Sequence, residues 1–455
     1  MGKLYRWDEI EEKGWDNLLL GNGFSINLSQ KFDYKSLFQY AQDNGILSEK
    51  SQKLFEKFET KNFEEVLNKL YTAEGVSSIL ELSNLEKISD KYNAIQESLI
   101  KLIQKVHPKK SELEETILEY LNIYLREYNS IYTTNYDLLL YWIVMKNESK
   151  FVDFFWNDKG SFDIFNTELY DDSKTSVYYL HGALHLLPYE ESKVRKIIRN
   201  ILEKVDDNIK NNNLVPLFVS EGLYKKKTAE IIKSDYLSYC LHCLSKVKGG
   251  ICIFGHSLSA KYDKHILDVL RIAYKNNQLK RIAIGIFNKK EQVKIVRQIK
   301  EHIPEMEKID CFDVKTHPIY NIVQDPFEYE KIYQFIKQRK EKINNKVLKY
   351  LNDSHWYDID SNCNINLLNV NDADIKLNSL MIIGIKEKYT LVRYQYFLNV
   401  SIEDGFCKYT LDKIKSYVIF SIYFNDEYRI TKYCLCRRKV KYKININDVT
   451  LKVIC

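Results

Sequence analysis

Short apolar runs bounded by Gly, Asn or Ser recur through about the first 315 residues and constrain the fold more than any other feature. They are Asn17–Leu20, Ser130–Tyr132, Ser176–Leu180, Val215–Val219, Gly250–Phe254 and Arg281–Phe287, with a weaker one at Ile309–Val314. Such short runs without polar alternation read as strands buried on both faces, the condition of a parallel sheet. Long stretches with apolar residues at helical spacing separate them. Strands alternating with helices give an α/β fold with a doubly wound sheet. The chain has 455 residues, more than one ordinary core holds, and 45% of them are apolar, so two or three globular domains are expected.

Two spacers exceed a plain crossover. The first, about 34–127, reads as a helical insertion with amphipathic segments Tyr34–Asp43, Glu49–Leu70, Leu85–His107 and Lys110–Glu127. The second, about Leu187–Asn213, is highly charged and reads as one exposed helix plus a loop. Together these give a first domain of about 1–330. A Lys/Arg/Glu-rich helical linker is expected at about 331–348, with Phe335–Leu348 carrying the densest charge. Beyond it, Met381–Ile385, Tyr389–Val400, Tyr417–Phe424 and Tyr428–Cys436 alternate in hydropathy between turn signals. They predict a smaller β-rich C-terminal domain at about 349–455.

The chemistry-bearing residues gather where strands end. Leu18–Ser25 is a strand followed by the Gly21-Asn22-Gly23 turn, in which glycines allow a backbone to approach a pyrophosphate. The third glycine of the dinucleotide fingerprint is missing, and no ribose-binding acid follows at the usual distance. Thr134-Asn135-Tyr136-Asp137 crowds polar groups at the end of a second strand, where ligands of open α/β sheets bind. Capping of the helix Leu138–Met145 by Asn135 or Asp137 is the bland alternative. His181-Gly182 ends a third strand, and a neutral imidazole is a natural general base near pH 7. Gly255-His256-Ser257-Leu258 ends a fourth, with Asp263 and His265 read as residues of a helix start.

Taken in order, these four motifs resemble the sirtuin family over about residues 15–315. Gly21-Asn-Gly-Phe-Ser25 is similar to the sirtuin Gly-Ala-Gly-x-Ser turn, Thr134-Asn135-Tyr136-Asp137 to its Gln-Asn-x-Asp signature, and Gly255-His-Ser257-Leu to its Gly-Thr-Ser-Leu loop. His181-Gly182 matches the catalytic His-Gly. The resemblance implies a Rossmann-like domain that binds NAD as substrate and breaks the bond between nicotinamide and ribose. Asn135, His181 and Asp137 would be catalytic: Asp137 on the carboxamide, Asn135 orienting water or ribose, His181 as general base. Gly21, Asn22, Gly23, Ser25, Thr134, Gly255 and Ser257 would bind the dinucleotide.

The deacylating sirtuins carry two Cys-x-x-Cys pairs for zinc. This chain has one, Cys240 and Cys243, within a helical stretch, so no structural zinc and no other metal is expected. That departure and the helical insertion point to the bacterial sirtuin-like NAD hydrolases of antiphage defence, acting by abortive infection. On that resemblance the C-terminal domain, with Tyr417, Tyr423, Tyr428 and Tyr433 and the basic run Arg437 to Lys443, would meet a phage-derived activator or partner protein, or hold a homo-oligomer. An NAD-derivative sensor or a protein deacylase on the same fold is the alternative. A serine hydrolase built on Ser257, Asp313 and His317 is a third, since Gly255-His-Ser257 resembles a nucleophile elbow. Basic and acidic residues number 68 and 62, a near balance that requires no nucleic-acid partner. With no secretory signal and no long apolar run, the sequence reads as cytoplasmic and free of membrane.

Overall fold

The computed structural model describes residues 2–83, 85–155, 160–163, 174–190, 192–197, 201, 216–219, 224–326, 330 and 334, and the backbone of the strands between 357 and 452. The chain divides into two compact units, Met1–Val323 and Gln324–Cys455.

The first unit is built on an eight-stranded sheet. Its strands are β1 (Leu4–Tyr5), β2 (Asn17–Leu20), β3 (Ser130–Thr133), β4 (Phe151–Val152), β5 (Thr175–Tyr179), β8 (Gly249–Phe254), β9 (Leu279–Ile286) and β10 (Ile309–Asp313). A separate antiparallel hairpin, β6 (Leu186–Glu190) with β7 (Lys193–Lys196), lies between β5 and β8 in sequence. The order across the sheet is β1-β10-β9-β8-β2-β3-β5-β4, and every pairing in it is parallel. The chain winds from β2 outward one way through β3 and β5, then returns to lay β8 on the other side of β2. The strand order therefore reverses at β2. Apart from the edges, the strands are buried almost throughout, as their uninterrupted apolar runs require.

The expected strands appear within one or two residues, except Val215–Val219. Residues 216–219 form one isolated bridge, Phe218 with Gly182, instead of a sheet strand. Val219 N–H donates to the His181 carbonyl at 2.9 Å, so this segment braces the His181 loop. The charged spacer from Leu187 also differs from expectation. Its first part is the β6–β7 hairpin, in which Leu186, Leu187 and Val194 turn inward while Glu190 and Lys193 face solvent. Two-residue edge strands β1 and β4 were too short to register as apolar runs.

Helices cover the sheet: α1 (Trp7–Ile10), α2 (Asn22–Leu28), α8 (Leu139–Val144), α9 (Tyr224–Lys233), α10 (Asp235–Ser245), α11 (Lys264–Lys275), α12 (Lys289–His302) and α13 (Pro318–Gln324). Between α2 and α8 stands the insertion: α3 (Tyr34–Asp43), α4 (Glu49–Lys57), α5 (Phe63–Ile79), α6 (Leu85–Val106) and α7 (Glu115–Leu125). The expected single helix Glu49–Leu70 is two. Glu59 takes a left-handed φ of 52°, and Asn62 caps the new helix by accepting from Glu64 N–H. The break lets Phe55 and Phe63 meet edge to face at 4.8 Å, with Phe38 on the other side of Phe55, also at 4.8 Å. That aromatic cluster anchors the helical lobe.

The second unit contains a four-stranded antiparallel sheet in the order β13 (Ala373–Lys386), β14 (Tyr389–Glu403), β15 (Lys408–Phe424), β16 (Ile430–Lys439). Two-stranded antiparallel pairs form from β11 (Tyr357–Ile359) with β12 (Ile365–Leu367) and from β17 (Lys443–Ile446) with β18 (Val449–Lys452). The expected linker helix Phe335–Leu348 lies outside the described residues.

Candidate functional site

Four strands deliver the site at one level. Register pairs Leu20 with Phe254 and with Thr133, and Thr133 with Tyr179. The residues that follow, Gly21, Gly255 and Thr134, with His181 one place further along its strand end, therefore emerge together at the carboxyl edge, where the strand order reverses. Open α/β sheets bind ligands at that place. A cavity of about 430 Å³ opens there, within the range of small-molecule sites, roughly 300–1,000 Å³. Asn22, Thr134, Asn135, Asp137, His181, Gly255 and Ser257 line its sheet side. Ile26, Phe32, Leu37, Leu99 and Ile103, from α2 and the helical lobe, give it an apolar wall.

Three of the expected ligand-binding residues do not reach the cavity. Gly21 and Gly23 are required by protein packing. A Cβ on Gly21 would sit 2.6 Å from the Gly255 carbonyl, and one on Gly23 would sit 2.7 Å from Gly255 Cα. Gly255 has φ of 69°, and its own Cβ would come within 2.6 Å of Phe24 N. Two loops thus interlock, joined by Gly23 N–H donating to the Gly255 carbonyl at 2.9 Å. Ser25 is fully buried, and its hydroxyl is spent within the protein. It donates to Asp137 Oδ2 at 2.5 Å and accepts from Asn135 Nδ2 at 2.8 Å.

This network orients Asn135. Its amide nitrogen donates to Ser25 Oγ and to the Gly21 carbonyl at 3.0 Å, so both amide protons are committed. What Asn135 presents to a ligand is Oδ1, an acceptor. Asp137 lies two residues before α8 and accepts from the N–H of its first residue, Leu139, at 2.8 Å. One carboxylate therefore holds a helix start, pins Ser25 and borders the cavity.

Around His181 stands a cluster that the sequence did not reveal, of which Lys227, His256 and Asp263 also line the cavity. His181 Nε2 and His265 Nε2 are 2.8 Å apart. Lys227 Nζ donates to Asp263 Oδ1 at 3.1 Å, and His256 Nε2 lies 3.8 Å from Asp263 Oδ2. All five side chains are buried. Asp263 precedes α11 without capping it, because its carboxylate turns to Lys227. Burial raises the Asp263 carboxyl, but the Lys227 ammonium together with the imidazoles of His256, His181 and His265 outweighs it and holds the group well below the usual carboxylate range. Burial, followed by Lys227, pushes His181 well below an ordinary imidazole. Burial lowers His256 and brings His265 down to about 4. These imidazoles are neutral at pH 7. His181, Asp263 and His265 each offer a donor atom within 4.8 Å of the others, a spacing a transition metal can use. The Lys227 ammonium already neutralises the one carboxylate in that set.

The remaining candidates are accounted for elsewhere. Cys240 is buried on α10, Cys243 lies half-buried one turn on, and burial pushes both thiols up. Ser257 lines the cavity, but its supposed partners do not join it. His317 is fully buried among Trp7, Phe254 and Phe312, with Nδ1 accepting from Ile319 N–H and Nε2 against the Tyr124 hydroxyl. Asp313 accepts from Lys315 N–H. Among the described residues no hydrogen bond links Ser257, Asp313 and His317.

A family described as a domain of unknown function, DUF4917, matches residues 18–316. The chain belongs to the DUF4917 family. No curated protein matches it. The DUF4917 span runs from β2 through β10, so it contains all four strand ends that build the site and the helical lobe above them. Among the described residues no helix is long and apolar enough to cross a membrane.

Proposed function

We propose that this DUF4917 chain hydrolyses NAD to nicotinamide and ADP-ribose. The observation that carries the reading is the convergence of Thr134, Asn135, Asp137, His181, Gly255 and Ser257 on one cavity at the strand-order reversal. Those residues come from three of the four motifs that resemble the sirtuins. In the reaction the glycosidic electron pair leaves with nicotinamide, water oxygen bonds to the ribose carbon, and the water proton passes to a base. Asn135 Oδ1 suits the orientation of a water or ribose hydroxyl because it can only accept. His181, held below an ordinary imidazole by burial and Lys227, is neutral and offers a ring lone pair to the water proton in the transition state. Asp137 retains unused lone pairs for the carboxamide N–H while its two protein bonds fix its position. The apolar wall keeps bulk water from the oxocarbenium-like transition state. Unchecked turnover would empty a cell of NAD, the outcome expected of an abortive-infection effector.

The test uses the purified full chain. NAD should raise its melting temperature with concentration, by about 2.7 kcal/mol of stability at a hundredfold excess over Kd. Nicotinamide and ADP-ribose should then appear in equal amounts. Melting that ignores NAD, with no nicotinamide released, would overturn the proposal.

A further inference from the structure

We propose that His265 is the positioning residue of this site: it accepts the Nε2–H of His181 and so leaves His181 Nδ1 bare and aimed at a ligand. The inference rests on His181 being the base of the proposed hydrolysis, but its geometric core does not.

Two nitrogens 2.8 Å apart must hold one proton between them. Two bare lone pairs would repel, and two N–H groups would collide. Each ring therefore constrains the tautomer of the other. His181 borders the cavity and His265 does not, so His265 acts through its neighbour. With Nε2 spent on His265, Nδ1 is the ring nitrogen His181 has left for a ligand. Both rings are buried, with centroids 5.0 Å apart and planes tilted by 40°.

The surroundings fix both rings. His265 is the second residue of α11, immediately after the Asp263–Lys227 pair that anchors that helix start. His181 is held by its carbonyl, which accepts from Val219 N–H, and by the following Gly182 at φ of 81°. A side chain at Gly182 would collide with the Leu217 carbonyl, so this loop has little freedom to turn the imidazole elsewhere. The remaining nitrogen of His265, Nδ1, is buried without a partner among the described residues. In the proposed arrangement it carries the second proton, and its unmet bond is what the orientation of His181 costs. When His181 Nδ1 takes the proton from water, the imidazolium keeps its Nε2–H on His265. The logic is that of a base oriented by a third group behind it. A metal held by His181, Asp263 and His265 is the competing use of the same atoms. The Lys227 ammonium on Asp263 opposes adding a dication there.

Nitrogen-15 spectra of histidine-labelled full chain decide this without any substrate. The expected result is a scalar coupling between the two Nε2 atoms across the hydrogen bond, with His181 protonated at Nε2 and bare at Nδ1. His265→Gln offers Oε1 to the same proton and should keep that tautomer, while His265→Ala should let both tautomers appear. In turnover, His265→Ala should lower kcat about 10–100-fold, as loss of an orienting partner does. KM should stay within about twofold, and His265→Gln should recover much of the loss. No coupling in the wild type, or the opposite tautomer, overturns the proposal, as does a stoichiometric metal whose removal changes the His181 signals. If His265→Ala fails to fold, the wild-type coupling and the Gln variant still decide. Should the wild type release no nicotinamide, the hydrolase reading fails while the coupling alone decides the role of His265.

Discussion

A methyl group at Gly255 has no space to occupy. It would lie 2.6 Å from Phe24 N, and the φ of 69° already disfavours any L side chain. Gly255→Ala should therefore cost roughly 2–5 kcal/mol, adding backbone strain to overpacking. Urea unfolding at unchanged slope measures it, and an unchanged midpoint would contradict the interlocked-loop account. The same scale shows what the sequence disclosed. Thr134, Asn135, His181 and Gly255 were legible because each stands just past an apolar run, at the sheet edge where ligands bind. Ser25, Gly21 and Gly23 were recognised but given the wrong task. A Gly-x-Gly turn serves a close ligand and a close neighbouring loop equally well, and only the structure shows Gly255 in that space. Lys227 was not legible at all. It ends the run Tyr224-Lys-Lys-Lys227, which reads as a solvated face, and the phase that buries one lysine is set by α9 packing.

At the scale of elements, the start of α11 is held by a buried ion pair that replaces a helix cap. Asp263→Ala should cost about 3–5 kcal/mol, because it removes the carboxylate to which the buried Lys227 ammonium donates. The double replacement Lys227→Met with Asp263→Leu should be far less costly than the sum of the singles. Additive losses in that double-mutant cycle would mean the two side chains do not share a dry environment. Elements were more legible than their contacts. The insertion was evident from helical periodicity, but the break at Glu59 was not, since apolar spacing continues across it. The β6–β7 hairpin was hidden by its charges, of which Glu190, Lys193 and Arg195 face outward while Lys196 pairs with the buried Asp153.

At the scale of the whole molecule, the first unit buries six histidines whose pKa values lie below the ordinary imidazole: His107, His181, His185, His256, His265 and His317. Burial is the leading cause in each. The unfolded chain binds protons on these rings below about pH 6.5 while the folded protein does not. Stability is therefore fully present above that pH and falls as pH drops toward about 4, the value to which His265 is held. Each ring contributes a slope of up to about 1.4 kcal/mol per pH unit. Melting temperature should decline steeply between pH 6.5 and 4.5, and a flat profile would show that these rings are not buried neutral. The parallel sheet was the most legible feature of all, because burial on both faces writes continuous apolar runs. The central claim, that this edge of the sheet hydrolyses NAD, is tested most directly by nicotinamide release from full-length wild type beside Asn135→Ala and His181→Ala. The wild type should turn over and each variant should lose about 100-fold or more, with cooperative melting retained. Near wild-type turnover in both variants would contradict it.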